Sequence, residues 1–152
     1  EFYEYIKESL SIKKSVIESD EFDKGERRKF NYGHTFGHAI ESITEYAVKH
    51  GQAVTIGMDI ANYLSLEMGL MDKSTFDELH SSLVINFPAY EFEGLDLSAF
   101  IGLLLKDKKN MGSTIGCILA ERPGKLVERQ IQADSFFKER LEEYFLKIYK
   151  TK

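Results

Sequence analysis

With 152 residues, 43% of them hydrophobic and 30% charged, the chain is long enough for one domain with its own core and too apolar to be disordered. A net charge of -5 excludes the basic footprint of a non-specific nucleic-acid binder. No run of about 18 apolar residues is available to span a membrane.

The start, Glu1-Phe2-Tyr3-Glu4-Tyr5, has neither the basic nor the apolar region of a secretory signal. It lacks an initiator Met, and a fragment of a longer chain is expected. The single cysteine, Cys117, has no intrachain partner and suits a reducing compartment.

Phe2, Ile6, Leu10, Ile12, Val16 and Ile17 recur at roughly helical spacing and predict a first helix, with a break near Gly25. Phe36, Ala39, Ile40, Ile43 and Ala47 predict a second, capped by Asn31 or Thr35, with His50-Gly51 as its end and turn. From about Ala53 to Met68 apolar residues lie on nearly every side, the pattern of a central buried helix stopped by Gly69. Phe76, Leu79, Leu83 and Val84 predict a helix capped by Asp72 or Ser74 and ending near Pro88. A further helix over 97–105 has Asp96 or Ser98 as its cap. Thr114 to Leu119 and Leu126 to Ile131, around the turn Arg122-Pro123-Gly124-Lys125, predict a small hairpin. Asp134 caps a last helix carrying Phe136, Phe137, Leu141, Tyr144, Phe145 and Ile148. The expected fold class is all-α, a helical bundle with one small β-hairpin, forming a single domain over residues 1–152.

Three of the four histidines, His34, His38 and His50, fall within seventeen residues. His34 and His38 are spaced i, i+4, so on a helix their rings share one face and can reach one metal. Zinc proteases use that spacing with Glu directly after the first His; here Thr35 stands there, which argues against a protease. Gly33 and Gly37 flank the pair, and a glycine inside a helix costs roughly 1 kcal/mol relative to Ala. That cost fits close approach of a ligand, or equally tight packing against another helix. His80, between polar neighbours on an amphipathic helix, is read as exposed and structural.

The run Asn31-Tyr32-Gly33-His34-Thr35-Phe36-Gly37-His38-Ala39-Ile40-Glu41, followed by His50-Gly51-Gln52-Ala53-Val54-Thr55-Ile56-Gly57-Met58, closely resembles the 3-dehydroquinate synthase family. Lys13, Val16-Ile17, Asp20-Glu21, Gly25 and Arg27 match the family's approach to this motif, and Asp107-Lys108-Lys109 with Gly112 resembles its late lysine motif. The resemblance covers most of residues 13 to 120. It implies the helical C-terminal domain of such an enzyme, without the N-terminal NAD-binding domain; no Gly-rich dinucleotide loop occurs here.

By the same resemblance, His34 and His50 match two ligands of a divalent metal, zinc or cobalt, whose third ligand is a glutamate upstream of the matched region. His38 matches a histidine that faces substrate and assists proton transfer. Lys13, Arg27 and Asn31, and either Lys108 or Lys109, match residues that contact the substrate's anionic and hydroxyl groups. The implied substrate is a small sugar acid phosphate, 3-deoxy-arabino-heptulosonate 7-phosphate, converted to 3-dehydroquinate and phosphate in the shikimate pathway. The implied whole enzyme is a cytoplasmic homodimer.

Two positions depart from the family pattern: Asp23 and Gln52 each stand where glutamate is usual. They leave room for a sister cyclase making 2-deoxy-scyllo-inosose or epi-valiolone. A metal-dependent polyol dehydrogenase of the glycerol dehydrogenase type is the rival enzyme class. A helical module that packs on a partner domain is the non-enzymatic reading.

Overall fold

The computed structural model describes residues 2–22, 25–106 and 112–151. It divides into two compact units, Glu1–Phe30 and Asn31–Lys152.

The first unit consists of α1 (Phe2–Ser19) and most of a 3-10 turn over Glu26–Asn31. None of the α1 side chains is buried, and Phe2, Tyr3, Tyr5, Ile6, Leu10 and Ile12 are all more than half exposed. The turn is organised by Asp20, whose Oδ2 accepts from the backbone N–H groups of Gly25 (2.8 Å) and Arg27 (3.1 Å).

The second unit contains α2 (His34–Ile43), α3 (His50–Glu67), α4 (Lys73–Leu83), α5 (Leu97–Leu105), the strands β1 (Thr114–Arg122) and β2 (Lys125–Gln132), and α6 (Ser135–Glu143). A π-helical turn, Tyr144–Ile148, and a 3-10 turn, Tyr149–Thr151, extend α6. The expected class holds: helices throughout, with one two-stranded antiparallel hairpin. No helix among the described residues is long and apolar enough to cross a membrane.

The centre is α3, as its all-round apolar pattern predicts. Ile56, Ile60 and Leu64 are fully buried at i, i+4, i+8, and the polar Asp59, Asn62 and Ser65 are fully buried with them. Asp59 is stabilised by donors: Tyr144 Oη donates to its Oδ2 at 2.8 Å and His80 Nδ1 lies 2.9 Å from the same atom. His80 is therefore not the exposed residue its amphipathic setting predicts. Its side chain is 13% exposed, and its other nitrogen lies 3.0 Å from Thr151 Oγ1.

Helix starts follow the short polar caps. Asp72, Asp96 and Asp134 accept from the backbone N–H groups of Thr75, Ala99 and Phe137, settling both open alternatives in favour of the aspartate. The α2 start differs: neither Asn31 nor Thr35 caps it, and Gly33 occupies that position at φ +78°. The α2 end differs too. The helix stops at Ile43, Glu45 and Tyr46 adopt left-handed φ values of 49° and 62°, and Ala47 is exposed. His50 is the first residue of α3, not the end of α2.

The hairpin turns its β1 side inward. Ile115, Cys117 and Leu119 are buried, while β2 buries only Ile131. Burial pushes the Cys117 thiol up to about 12, so it stays protonated and unreactive.

Candidate metal and substrate site

The site begins with a helical hairpin whose two arms touch through backbone. A methyl group added at Gly57 of α3 would lie 2.0 Å from the Gly33 carbonyl oxygen and 2.8 Å from the Gly37 nitrogen. One added at Gly33 would meet the Val54 carbonyl oxygen at 2.6 Å. Gly33 and Gly37 are thus explained by helix packing, the second of the two readings their presence allows. This contact has a consequence for the histidines. With Gly33 and Gly37 against Val54 and Gly57, an antiparallel α3 brings its first residue, His50, back beside the far end of α2.

The rings of His34 and His38 have centroids 5.5 Å apart, those of His34 and His50 5.5 Å, and those of His38 and His50 6.0 Å. The structure therefore assembles the three histidines that the sequence singles out. It adds a fourth member, Glu41, at i+7 from His34 and on the same face of α2. Glu41 Oε2 lies 3.1 Å from His50 Nδ1, with Glu41 14% exposed and His50 58% exposed. One donor atom each from His38, Glu41 and His50 falls within 4.8 Å of the others.

Two of the rings have one nitrogen occupied by an oxygen acceptor. His34 Nδ1 lies 3.2 Å from the Tyr32 carbonyl oxygen, and His50 Nδ1 is engaged by Glu41. An imidazole whose Nδ1–H is donated presents the lone pair of Nε2, the form that ligates a metal. Among the described residues no hydrogen bond to the His38 ring is seen, and its ring lies 5.5 Å from that of His34 and 6.0 Å from that of His50. The donor set, two or three imidazoles with a carboxylate, has the chemistry of a divalent transition-metal site.

Surrounding contacts hold this arrangement. Tyr32 Oη donates to Asn62 Oδ1 on α3, and burial pushes the phenol up to about 12. Thr35 Oγ1 donates to the Gly116 carbonyl oxygen at 3.2 Å, tying the histidine helix to β1.

Lys13 lies exposed on α1, and Arg27 in the same unit donates from Nη1 to the Glu21 carbonyl oxygen at 2.9 Å. Asn31 is half-buried at the end of the 3-10 turn. Lys108, Lys109 and the departure Asp23 lie outside the described residues. Gln52 is half-buried in the first turn of α3; Glu41 is the residue that engages His50.

A glycine-packed helical hairpin that gathers three imidazoles and a carboxylate defines a helical domain with the donor set of a divalent-metal site. The chain belongs to the 3-dehydroquinate synthase C-terminal domain family, whose model matches residues 1–110. It is similar to the 3-dehydroquinate synthase of Campylobacter concisus, 41% identical over 125 residues, which cover 80% of this chain and 36% of that protein. The enzymes of the same name from Dictyoglomus thermophilum (41% identical, 80% of this chain and 34% of the relative) and Helicobacter pylori (38%, 80% and 36%) are also similar. The chain spans about a third of the length of these curated relatives. Among solved structures it is similar to 2-deoxy-scyllo-inosose synthase complexed with carbaglucose-6-phosphate, NAD+ and Co2+, with a TM-score of 0.77, 26% identity, and coverage of 91% of this chain and 40% of that one.

Proposed function

We propose that this chain is the metal- and substrate-binding part of a 3-dehydroquinate synthase, a phosphate-eliminating lyase acting on 3-deoxy-arabino-heptulosonate 7-phosphate. The observation that carries the reading is the cluster of His34, His38 and His50 in a chain of this family. His34 and His50 would hold the metal, zinc or cobalt, with their Nδ1 atoms turned to the Tyr32 carbonyl oxygen and to Glu41. Bound there, the metal supplies Lewis acidity toward a carbinol or carbonyl oxygen of the substrate.

The remaining work falls to side chains of this protein. His38, beside both ligands, moves a proton at the same oxygen. Arg27 offers a planar fork suited to a carboxylate, and Lys13 and either Lys108 or Lys109 offer point charges to anionic groups. Asn31 hydrogen-bonds a hydroxyl. NAD, which supplies reversible hydride transfer, and the third ligand would come from an N-terminal domain outside this chain. The whole enzyme would be a cytoplasmic homodimer with a single C-terminal domain over residues 1–152.

A second reading is supported by the similarity to 2-deoxy-scyllo-inosose synthase, a cyclase named for a product without a carboxylate. Product analysis with the heptulosonate phosphate and with glucose 6-phosphate, using the full-length enzyme, separates the two. For the metal, calorimetric titration of the chain with zinc should give weak binding, about micromolar or poorer with a ligand lacking. His34→Ala and His50→Ala should each abolish it. Variants that bind as well as the parent would detach these histidines from any metal and remove the centre of the proposal.

A further inference from the structure

We infer that Glu41 is the positioning residue for His50: it fixes the ring in the Nδ1–H tautomer and turns Nε2 toward the metal. This rests on the metal-site reading above and goes beyond it, since Glu41 lies outside the ligands and substrate contacts that the motif implies.

Three observations point the same way. Glu41 Oε2 stands 3.1 Å from His50 Nδ1, across the hairpin between the end of α2 and the start of α3. The carboxylate is the sheltered partner, at 14% exposure against 58% for the imidazole, so it is the fixed reference and the ring is the part it holds. His34 repeats the scheme with a different acceptor, its Nδ1 lying 3.2 Å from the Tyr32 carbonyl oxygen. In His50 this leaves Nε2 as the ligating atom. Carboxylate–histidine–metal arrangements work in this way, because the hydrogen bond selects the tautomer, sets the ring plane and raises ligand basicity.

Two other roles are open to this carboxylate. It could itself ligate, since its oxygen falls within 4.8 Å of donor atoms of His38 and His50. It could serve only as a negative charge near the positive end of α3. Both need the charge. Positioning needs only an oxygen acceptor, which an amide supplies.

The test uses the 152-residue chain and its Glu41→Gln, Glu41→Ala and His50→Ala variants, with thermal melts to establish that each is folded. Long-range proton–nitrogen-15 spectra at alkaline pH read which His50 nitrogen carries hydrogen. Cobalt(II) titration, followed by visible absorption, reads affinity and ligand field. The expected result is Nδ1–H in the parent and in Glu41→Gln, and Nε2–H in Glu41→Ala. Cobalt affinity should be within about threefold of the parent for Glu41→Gln and about 10- to 100-fold weaker for Glu41→Ala. An unchanged tautomer and affinity in Glu41→Ala would overturn the inference. So would a Glu41→Gln variant as weak as Glu41→Ala, which would make the carboxylate a ligand or a bare charge. Equal cobalt binding by the parent and His50→Ala would instead refute the metal site, and the tautomer spectra would still decide what Glu41 does to His50.

Discussion

Replacing Gly57 with Ala should destabilise the protein and disperse the histidine cluster, although the same change in an ordinary helix does the opposite. Gly to Ala inside a helix gains about 0.5–1 kcal/mol, mainly from lost freedom of the unfolded chain. At Gly57 the added methyl would sit 2.0 Å from the Gly33 carbonyl oxygen, about 1 Å short of the 3.0 Å that real Cβ atoms respect. The obstacle is backbone on a neighbouring helix, not a flexible side chain, so α3 must move off α2. Overpacking of this kind costs about 1–3 kcal/mol, sometimes more, and exceeds the propensity gain. The net loss should be about 2 kcal/mol, a sizeable share of the 5–15 kcal/mol typical of a domain. Because His50 rides on α3, the displacement should also weaken zinc binding. Gly102, within α5 and with nothing within 4 Å of an added methyl, is the control: Gly102→Ala should be neutral or stabilising. Thermal and urea denaturation of both variants, with zinc titration, make the comparison. A Gly57→Ala protein as stable as Gly102→Ala would refute the backbone contact and the account of how His50 reaches the pair.

The buried polar group on α3 should respond as strongly. Tyr144→Phe removes the 2.8 Å donor to the fully buried Asp59, and the loss should be about 1–3 kcal/mol, or roughly 2–4 °C in Tm per kcal/mol for a chain of this size. A melt within one degree of the parent would show that Asp59 is satisfied without it. Asp72 carries a pH signature: hydrogen bonds from Ser74 and Thr75 lower its carboxyl from the ordinary 3.8 to about 2. A depressed folded-state value means the stabilisation is present above pH 4 and lost as the pH falls toward 2. Asp72→Asn should therefore flatten that part of the acid limb in urea midpoints measured from pH 5 to 2. An unchanged slope would assign the acid loss to other carboxylates.

What the sequence reveals of this fold is the part written locally. The α3 pattern marks the core because a helix apolar all round has nowhere else to go, and the aspartate caps are legible because each acts within three residues. The end of α2 is hidden, since Ala47 continues the i, i+4 spacing from Ile43 and no glycine or proline marks the turn. Two non-glycine residues, Glu45 and Tyr46, take up left-handed conformations instead. His80 misleads for a related reason. Its partner Asp59 lies 21 residues away on another helix, and that pairing exists only once α4 packs on α3. Glu41 could have been found, because i, i+4, i+7 places it with His34 and His38 on one face. A glutamate near a helix end reads as surface charge until the second arm of the hairpin delivers His50 to it.

The site also explains why so much of the local sequence is small or polar without being catalytic. His50 is the first residue of α3, and His34 is referred to the same helix by Tyr32. The Tyr32 carbonyl oxygen meets His34 Nδ1, while its hydroxyl donates to Asn62 on α3. Both candidate ligands are thus referenced to the most buried element of the unit, and the gap between the arms is set by backbone contact at Gly33, Gly37 and Gly57. Side chains at that contact could rotate and let the spacing drift; carbonyl and amide groups on two helices cannot. A metal site built from few ligands depends on that rigidity, because each misplaced nitrogen weakens binding directly. The glycines therefore act on chemistry through geometry, which is why their effect should be read in metal affinity as well as in stability.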